Sequence, residues 1–372
     1  MAQEKRNISY KEIRAAEDFW KAEEILTELP PFVQGYYTHI RSKSAGTVLL
    51  YIRNIQNFFN YMISSNPLLA KKEIKEITIE DVQKLTRQDI EEFLNNLINT
   101  KIVGYELPQR NSTKNVYVSA LTSLFTFLED EGELSTNIML KVRKSKKDRK
   151  RRVVRLDSEE EDALLDTILY GTGMSAKQIE FAKKTKDRDY AIVLVLLRTG
   201  LRVSELVGLN IEDINFKKNS FLVARKESVL KDDEVFFDDD VRDAIELYLN
   251  GKTAANTQRG TPLFTVSQGK YKGDRLSVRG VENMVYKYTT AATGRRISPH
   301  KLRATFATNM INATGNIELV KALMGHADIS TTTLYIDDES LEKEKARNIL
   351  KQRKENRRTS GEDQNTVHKI EL

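Results

Sequence analysis

Four short clusters in the second half of the chain carry side chains suited to an anionic group. Arg202 stands in Arg198-Thr199-Gly200-Leu201-Arg202-Val203-Ser204-Glu205-Leu206, and His300 and Arg303 stand in Pro299-His300-Lys301-Leu302-Arg303. His326 follows Leu323-Met324-Gly325, and Tyr335 ends Asp328-Ile329-Ser330-Thr331-Thr332-Thr333-Leu334-Tyr335. Guanidinium groups keep their charge at any relevant pH and offer planar, bidentate donors to phosphate or carboxylate oxygens. Imidazole exchanges a proton near neutrality, whereas a phenol is protonated there and attacks only once that proton is removed. Taken singly, each cluster has a plainer reading. An Arg at a helix junction is commonly a surface or capping residue, and Tyr335 is one of fourteen tyrosines. A metal site at His300 is not favoured, because the chain has no Cys and offers no second His nearby at ligand spacing.

The elements around these residues constrain where they point. An apolar helix over residues 190–197 stops at Gly200 and another starts near Ser204, so Arg202 falls at the break, beside the positive end of the new helix. Pro299 suits a helix start, and His300 and Arg303, three apart, project from one face. Gly325 closes a helix over Ile317–Met324 with the left-handed residue such ends favour, which fixes the direction of His326. Short β-type runs at 220–224 and 234–237, with 213–216 as a third and Lys217-Lys218-Asn219 as a turn, predict a small antiparallel sheet. The rest of this half is helical, beginning where Asp157 and Ser158 precede three acids that complement a helix start.

In the first half Ile52, Ile55, Phe59 and Met62 step by three and four, as do Val118, Leu121, Phe125 and Leu128. Two such faces predict a helical bundle, with Ser44 and Thr113 as helix caps. The charge is uneven. Residues 141–155 hold ten bases against Asp148, a net +9, while the rest of the chain sums to −3. Such a run cannot enter a core, so it predicts an exposed link between two domains. The resulting division is an N-terminal extension (1–29), a helical domain (30–140), a basic linker (141–155), a second domain (156–350) and a polar tail (351–372). At 372 residues two cores are expected, and the composition, 31% charged and 40% hydrophobic, is that of a soluble globular chain. No signal peptide is visible, no stretch approaches 18 apolar residues, and the absence of Cys excludes a disulfide framework. The expected location is the cytoplasm, with no membrane partner.

Arg202, His300-x-x-Arg303, Gly325-His326 and Tyr335, in this order and these contexts, resemble the tyrosine recombinase (phage integrase) family, especially its Xer-like branch. The resemblance covers about residues 156–345 and is densest over 199–206 and 323–335; the first half is similar to the family's core-binding domain in architecture. It implies a mainly α, two-domain clamp: an N-terminal helical bundle of SAM-like type, and a mostly helical catalytic domain with a small antiparallel sheet. It also implies site-specific cleavage and rejoining of double-stranded DNA through a covalent 3′-phosphotyrosine, with strands exchanged through a Holliday junction. Arg202, Arg303 and His326 would then bind the phosphate, Tyr335 would attack it, and His300 would accept the phenolic proton or position the phosphate. The family's general acid is a Lys on the small sheet. This chain has no Gly-Lys-Gly turn there, so Lys226 is the choice and Lys231 the rival. Segments where relatives touch DNA carry Lys43, Arg53, Lys114 and Arg279, and the linker contributes Lys144, Lys147 and Arg151. Neither a nucleotide-binding loop nor a carboxylate cluster for magnesium is found, so no cofactor and no metal are expected. The resemblance further implies a homotetramer on paired sites, with residues 341–350 as a helix packing onto the next protomer, and an accessory protein or DNA translocase as a possible partner. Xer-like dimer resolution and mobile-element integration or excision both remain open. Two other readings use the same residues: a type IB topoisomerase-like relaxing enzyme, and a DNA-binding protein without activity.

Overall fold

The computed structural model describes residues 10–70, 72–98, 111–145, 155–224 and 233–325. The chain forms two compact units, Met1–Arg151 and Arg152–Leu372.

The first unit is helical among the described residues: α1 (Tyr10–Leu26), α2 (Phe32–Ile40), α3 (Ala45–Ser65), α4 (Ile79–Gln83), α5 (Arg87–Ile98) and α6 (Asn111–Asp130). The three–four spacing read from the sequence is the buried stripe. Ile52, Ile55, Phe59 and Met62 of α3 share one core with Val118, Leu121, Phe125 and Leu128 of α6. Ser44 caps α3, its hydroxyl accepting from the Thr47 amide at 3.4 Å. Thr113 is not a cap: it lies inside α6, in a polar turn where a helical Thr and a capping Thr look alike in sequence. Ala22 and Leu26 of α1, four apart and so on one face, are buried in the same core, as is Leu29. From Tyr10 onward, then, the segment that the sequence sets apart as an extension packs with the bundle.

The second unit contains α7 (Ser158–Tyr170), α8 (Ala176–Ala182), α9 (Lys186–Thr199), α10 (Val203–Gly208), α11 (Asp239–Leu249), α12 (Val278–Thr293), α13 (Pro299–Thr314) and α14 (Ile317–Met324). Residues 191–197 of α9 are all buried, which explains an apolar run without an exposed face; α7, α11 and α13 surround it. Asp157 and Glu160 cap α7 reciprocally, each carboxylate accepting from the other's amide at 2.9 and 3.2 Å. Three strands, β1 (Ile214–Asn215), β2 (Ser220–Val223) and β3 (Asp233–Phe236), form an antiparallel sheet in that order. Ile214 is opposite Phe221, and Phe221 opposite Val235. Asn219 turns the β1–β2 connection at φ +51°. Phe221 and Val223 face inward, whereas Leu222 between them is exposed. No helix among the described residues is long and apolar enough to cross a membrane.

Candidate active site

The end of α9 sets the first guanidinium. Gly200 stops the helix at φ +63°, and a Cβ there would lie 2.4 Å from Cδ1 of Phe306 and 3.2 Å from Sδ of Met324. Only glycine fits this close approach of α13 and α14. Two residues on, Arg202 is extended and starts α10. Its amide donates to Glu205 Oε2 at 2.8 Å, while its Nη1 donates to Glu205 Oε1 at 2.7 Å. Glu205 therefore both closes the helix start and orients the side chain of Arg202.

The second guanidinium comes from α13, which begins at Pro299. Thr305 on this helix fixes the start of the unit, its Oγ1 accepting from the Leu156 amide at 3.0 Å. Arg303 donates through Nη2 to the Met324 carbonyl at 2.5 Å and through Nη1 to the Gly200 carbonyl, and that Nη1 is 3.9 Å from Glu205 Oε2. Arg202 Nη2 reaches the adjacent Gly325 carbonyl at 3.2 Å. Two arginines a hundred residues apart thus converge on the last carbonyls of α14. Those carbonyls lack helical partners and lie at the negative end of the helix dipole, so they attract cations. The two side chains differ in access: that of Arg202 is 33% exposed, that of Arg303 only 2%.

Gly325 ends α14 at φ +57°, the left-handed closure read from the sequence, and the next residue is His326. His326, Tyr335, Lys226, Lys231, Lys147 and Arg151 lie outside the described residues. His300, one turn before Arg303, is exposed at the surface. The protein packed around its ring, and then the charges of Lys301, Arg303 and Arg202, hold its pKa below the ordinary histidine value. This shift favours the neutral imidazole, the form able to accept a proton.

Sequence reasoning did not single out Glu205, although a Glu three residues after a helix start is a capping signal. The second arm of that carboxylate, towards Arg303, has no signature in local sequence. Of the residues read as DNA contacts, Lys43, Arg53, Lys144 and Arg279 are exposed, on the α2–α3 turn, on α3, after α6 and in the first turn of α12 respectively. Lys114 is half-buried and donates to Asn95 Oδ1 at 3.4 Å, and Arg279 donates to Glu282 at 3.1 Å.

Residues 154–342 match the model of the phage integrase family. The chain belongs to that family. It is a tyrosine recombinase of the Xer-like kind, an enzyme that breaks and rejoins DNA. It is 29% identical to the tyrosine recombinase XerS of Streptococcus mutans over 343 residues, covering 85% of this chain and 94% of the relative. The XerS of Streptococcus thermophilus strain CNRZ 1066 is 31% identical over the same length, with the same coverage of each chain. Among solved structures, the XerH site-specific recombinase bound to a palindromic difH substrate, in a post-cleavage complex, shares the fold. Its TM-score is 0.61 at 20% identity, covering 89% of this chain and 88% of that one.

Proposed function

We propose that this recombinase cleaves duplex DNA at a specific site with Tyr335, forming a covalent 3′-phosphotyrosine, and exchanges strands between two such sites through a Holliday junction. The observation that carries the reading is the meeting of Arg202 and Arg303 at Met324 and Gly325, immediately before His326, with His300 one turn from Arg303. Attack by the Tyr335 oxygen forms the new phosphorus–oxygen bond as the bond to the 5′ oxygen breaks, and negative charge builds on the non-bridging oxygens. Two guanidiniums and the His326 imidazole placed there beforehand lower the barrier. His300 takes the phenolic proton, which its neutral form allows, and Lys226 protonates the departing 5′ oxygen.

The carbonyls now held by Arg202 and Arg303 occupy donors that phosphate oxygens would use. Both belong to the end of α14, so one displacement of that end releases Nη2 of each arginine, while Arg303 Nη1 stays on the Gly200 carbonyl and Arg202 Nη1 on Glu205. The phosphotyrosine conserves the energy of the broken bond, so rejoining proceeds without ATP or metal. In this reading four protomers act on paired sites, with Lys144, Lys147 and Arg151 of the linker lying along phosphates. Lys43, Arg53, Lys114 and Arg279 add to the duplex contact, and an accessory protein or translocase is the further partner. The XerH complex with its difH substrate supports a duplex site as the ligand.

Sequencing DNA trapped covalently on the protein in cells identifies the site and tells a chromosomal locus from the ends of a mobile element. A nicked duplex carrying that site is then expected to form a covalent adduct with the wild-type chain and none with Tyr335→Phe, which keeps its DNA binding. Adduct formation by Tyr335→Phe, or a requirement for divalent metal, overturns the mechanism. A plasmid with two sites should yield rearranged products, whereas a relaxing enzyme would change only its supercoiling. A 5′-phosphorothiolate leaving group, which needs no proton, should rescue Lys226→Ala and not Lys231→Ala.

A further inference from the structure

We propose that the hairpin at residues 267–274 is a sequence-independent DNA-backbone contact, with Lys270 and Lys272 neutralising phosphates and Tyr271 lying against the sugar-phosphate chain. This rests on the reading of the chain as a recombinase of duplex DNA and adds a surface to it. The loop is built as a ribbon: the Val266 amide donates to the Asp274 carbonyl at 2.8 Å, and the Leu276 amide donates to that of Phe264 at 2.9 Å. Gly269 at φ +81° and Gly273 at φ +94° turn the tip, and a Cβ on either would meet nothing within 4 Å. The tip therefore stands clear of the body. Lys270, Tyr271 and Lys272 are all exposed there, with the Lys270 ammonium 5.6 Å from the Tyr271 ring centroid.

The base of this tip is held on both legs by arginine side chains of the body and of the hairpin itself. Arg188 Nη1 donates to the Thr265 carbonyl at 2.9 Å and to Ser267 Oγ at 3.0 Å, and its charge is met by Asp189 at 2.6 Å. On the other leg Arg275 donates to the carbonyls of Val207 and Leu209 at 2.8 and 2.9 Å. Those carbonyls close α10, the helix that Arg202 begins, and six helical residues span about 9 Å. One short rigid element thus joins the hairpin to a proposed phosphate-binding guanidinium. Two cations flanking a single ring, with Asp274 the one acid of the tip, suit a polyanion. An apolar protein partner would need more than one ring.

The test uses the full chain with both lysines replaced, Lys270→Ala and Lys272→Ala, against a random-sequence duplex in a salt series. Two lost phosphate contacts should flatten the slope of log affinity against log salt by about 1.8. Random and specific duplexes should lose affinity equally, and the thermal midpoint should not move, since both side chains leave no core gap. An unchanged salt slope overturns the proposal, and so does normal binding of one duplex with loss only of contact between protein copies. The two readings fail separately. Wild-type protein without a Tyr335 adduct, but with hairpin-dependent salt sensitivity, removes the recombination mechanism and leaves the hairpin contact. A normal adduct with an unchanged slope removes the hairpin alone.

Discussion

His300 shows how a surroundings effect becomes a measurable one at the level of a single side chain. Packing and three neighbouring cations penalise its charged form, so the neutral ring persists to lower pH than in a free histidine. If this ring takes the Tyr335 proton, cleavage is constant above its pKa and falls as pH drops through it, on the acid side of the ordinary value near 6.5. Lys301 is one of the charges that depress it, so Lys301→Gln should move this acid limb to higher pH while leaving the plateau rate unchanged. Single-turnover cleavage from pH 5 to 8 reads both. A limb that stays put or moves lower removes His300 from proton transfer. Arg202, His300 and Arg303 were legible in sequence because residue type and local context mark them. Glu205 and the α14 carbonyls were not. The contact between Arg202 and Gly325 joins residues 123 apart, which no window of local pattern contains.

At the scale of elements, sequence speaks clearly where backbone chemistry is local. The left-handed closures at Gly200 and Gly325, the Asp157 cap and the three short strands follow from turn residues and alternation. The place of Thr113 does not, since the turn around it is polar and a Thr inside a helix there looks like a Thr at its cap. Gly200 carries two constraints at once, a positive φ and the approach of Phe306 and Met324, and its carbonyl accepts from Arg303. Gly200→Ala is expected to cost about 1–2 kcal/mol for the left-handed backbone and a further ~1–3 kcal/mol for overpacking. Because Phe306 and Met324 lie on the helices that supply Arg303 and its acceptor, cleavage should fall with stability. Gly132 also has a positive φ, +76°, yet a Cβ there meets nothing within 4 Å. Gly132→Ala should therefore lose only the backbone part. Equal losses in urea unfolding would show that the helix approach at Gly200 contributes nothing.

The whole molecule is organised by where charge and apolar surface separate along the chain. Each unit holds its own buried residues, Ile52 and Phe125 in one and Val195 and Leu302 in the other, whereas residues 141–155 carry ten bases and few apolar groups. The start of the run nevertheless belongs to the first unit, where Val142 is buried in the core and the Ser145 amide donates to Asn115 Oδ1 at 2.9 Å, and the two units divide further along it, between Arg151 and Arg152. Composition is silent on what the run binds; the phosphates of a duplex are the proposal made above. Trypsin cuts after Lys and Arg, so brief digestion should cleave first within 141–155 and release two fragments that each keep helical circular dichroism. Random-sequence duplex should slow this cut at low salt by covering the bases, and raising the salt should remove the protection as counterions return to the phosphates. A first cut elsewhere denies that the run is the exposed link. Protection that survives high salt would point to burial between protein surfaces, because ionic screening weakens contacts with phosphate far more than apolar packing.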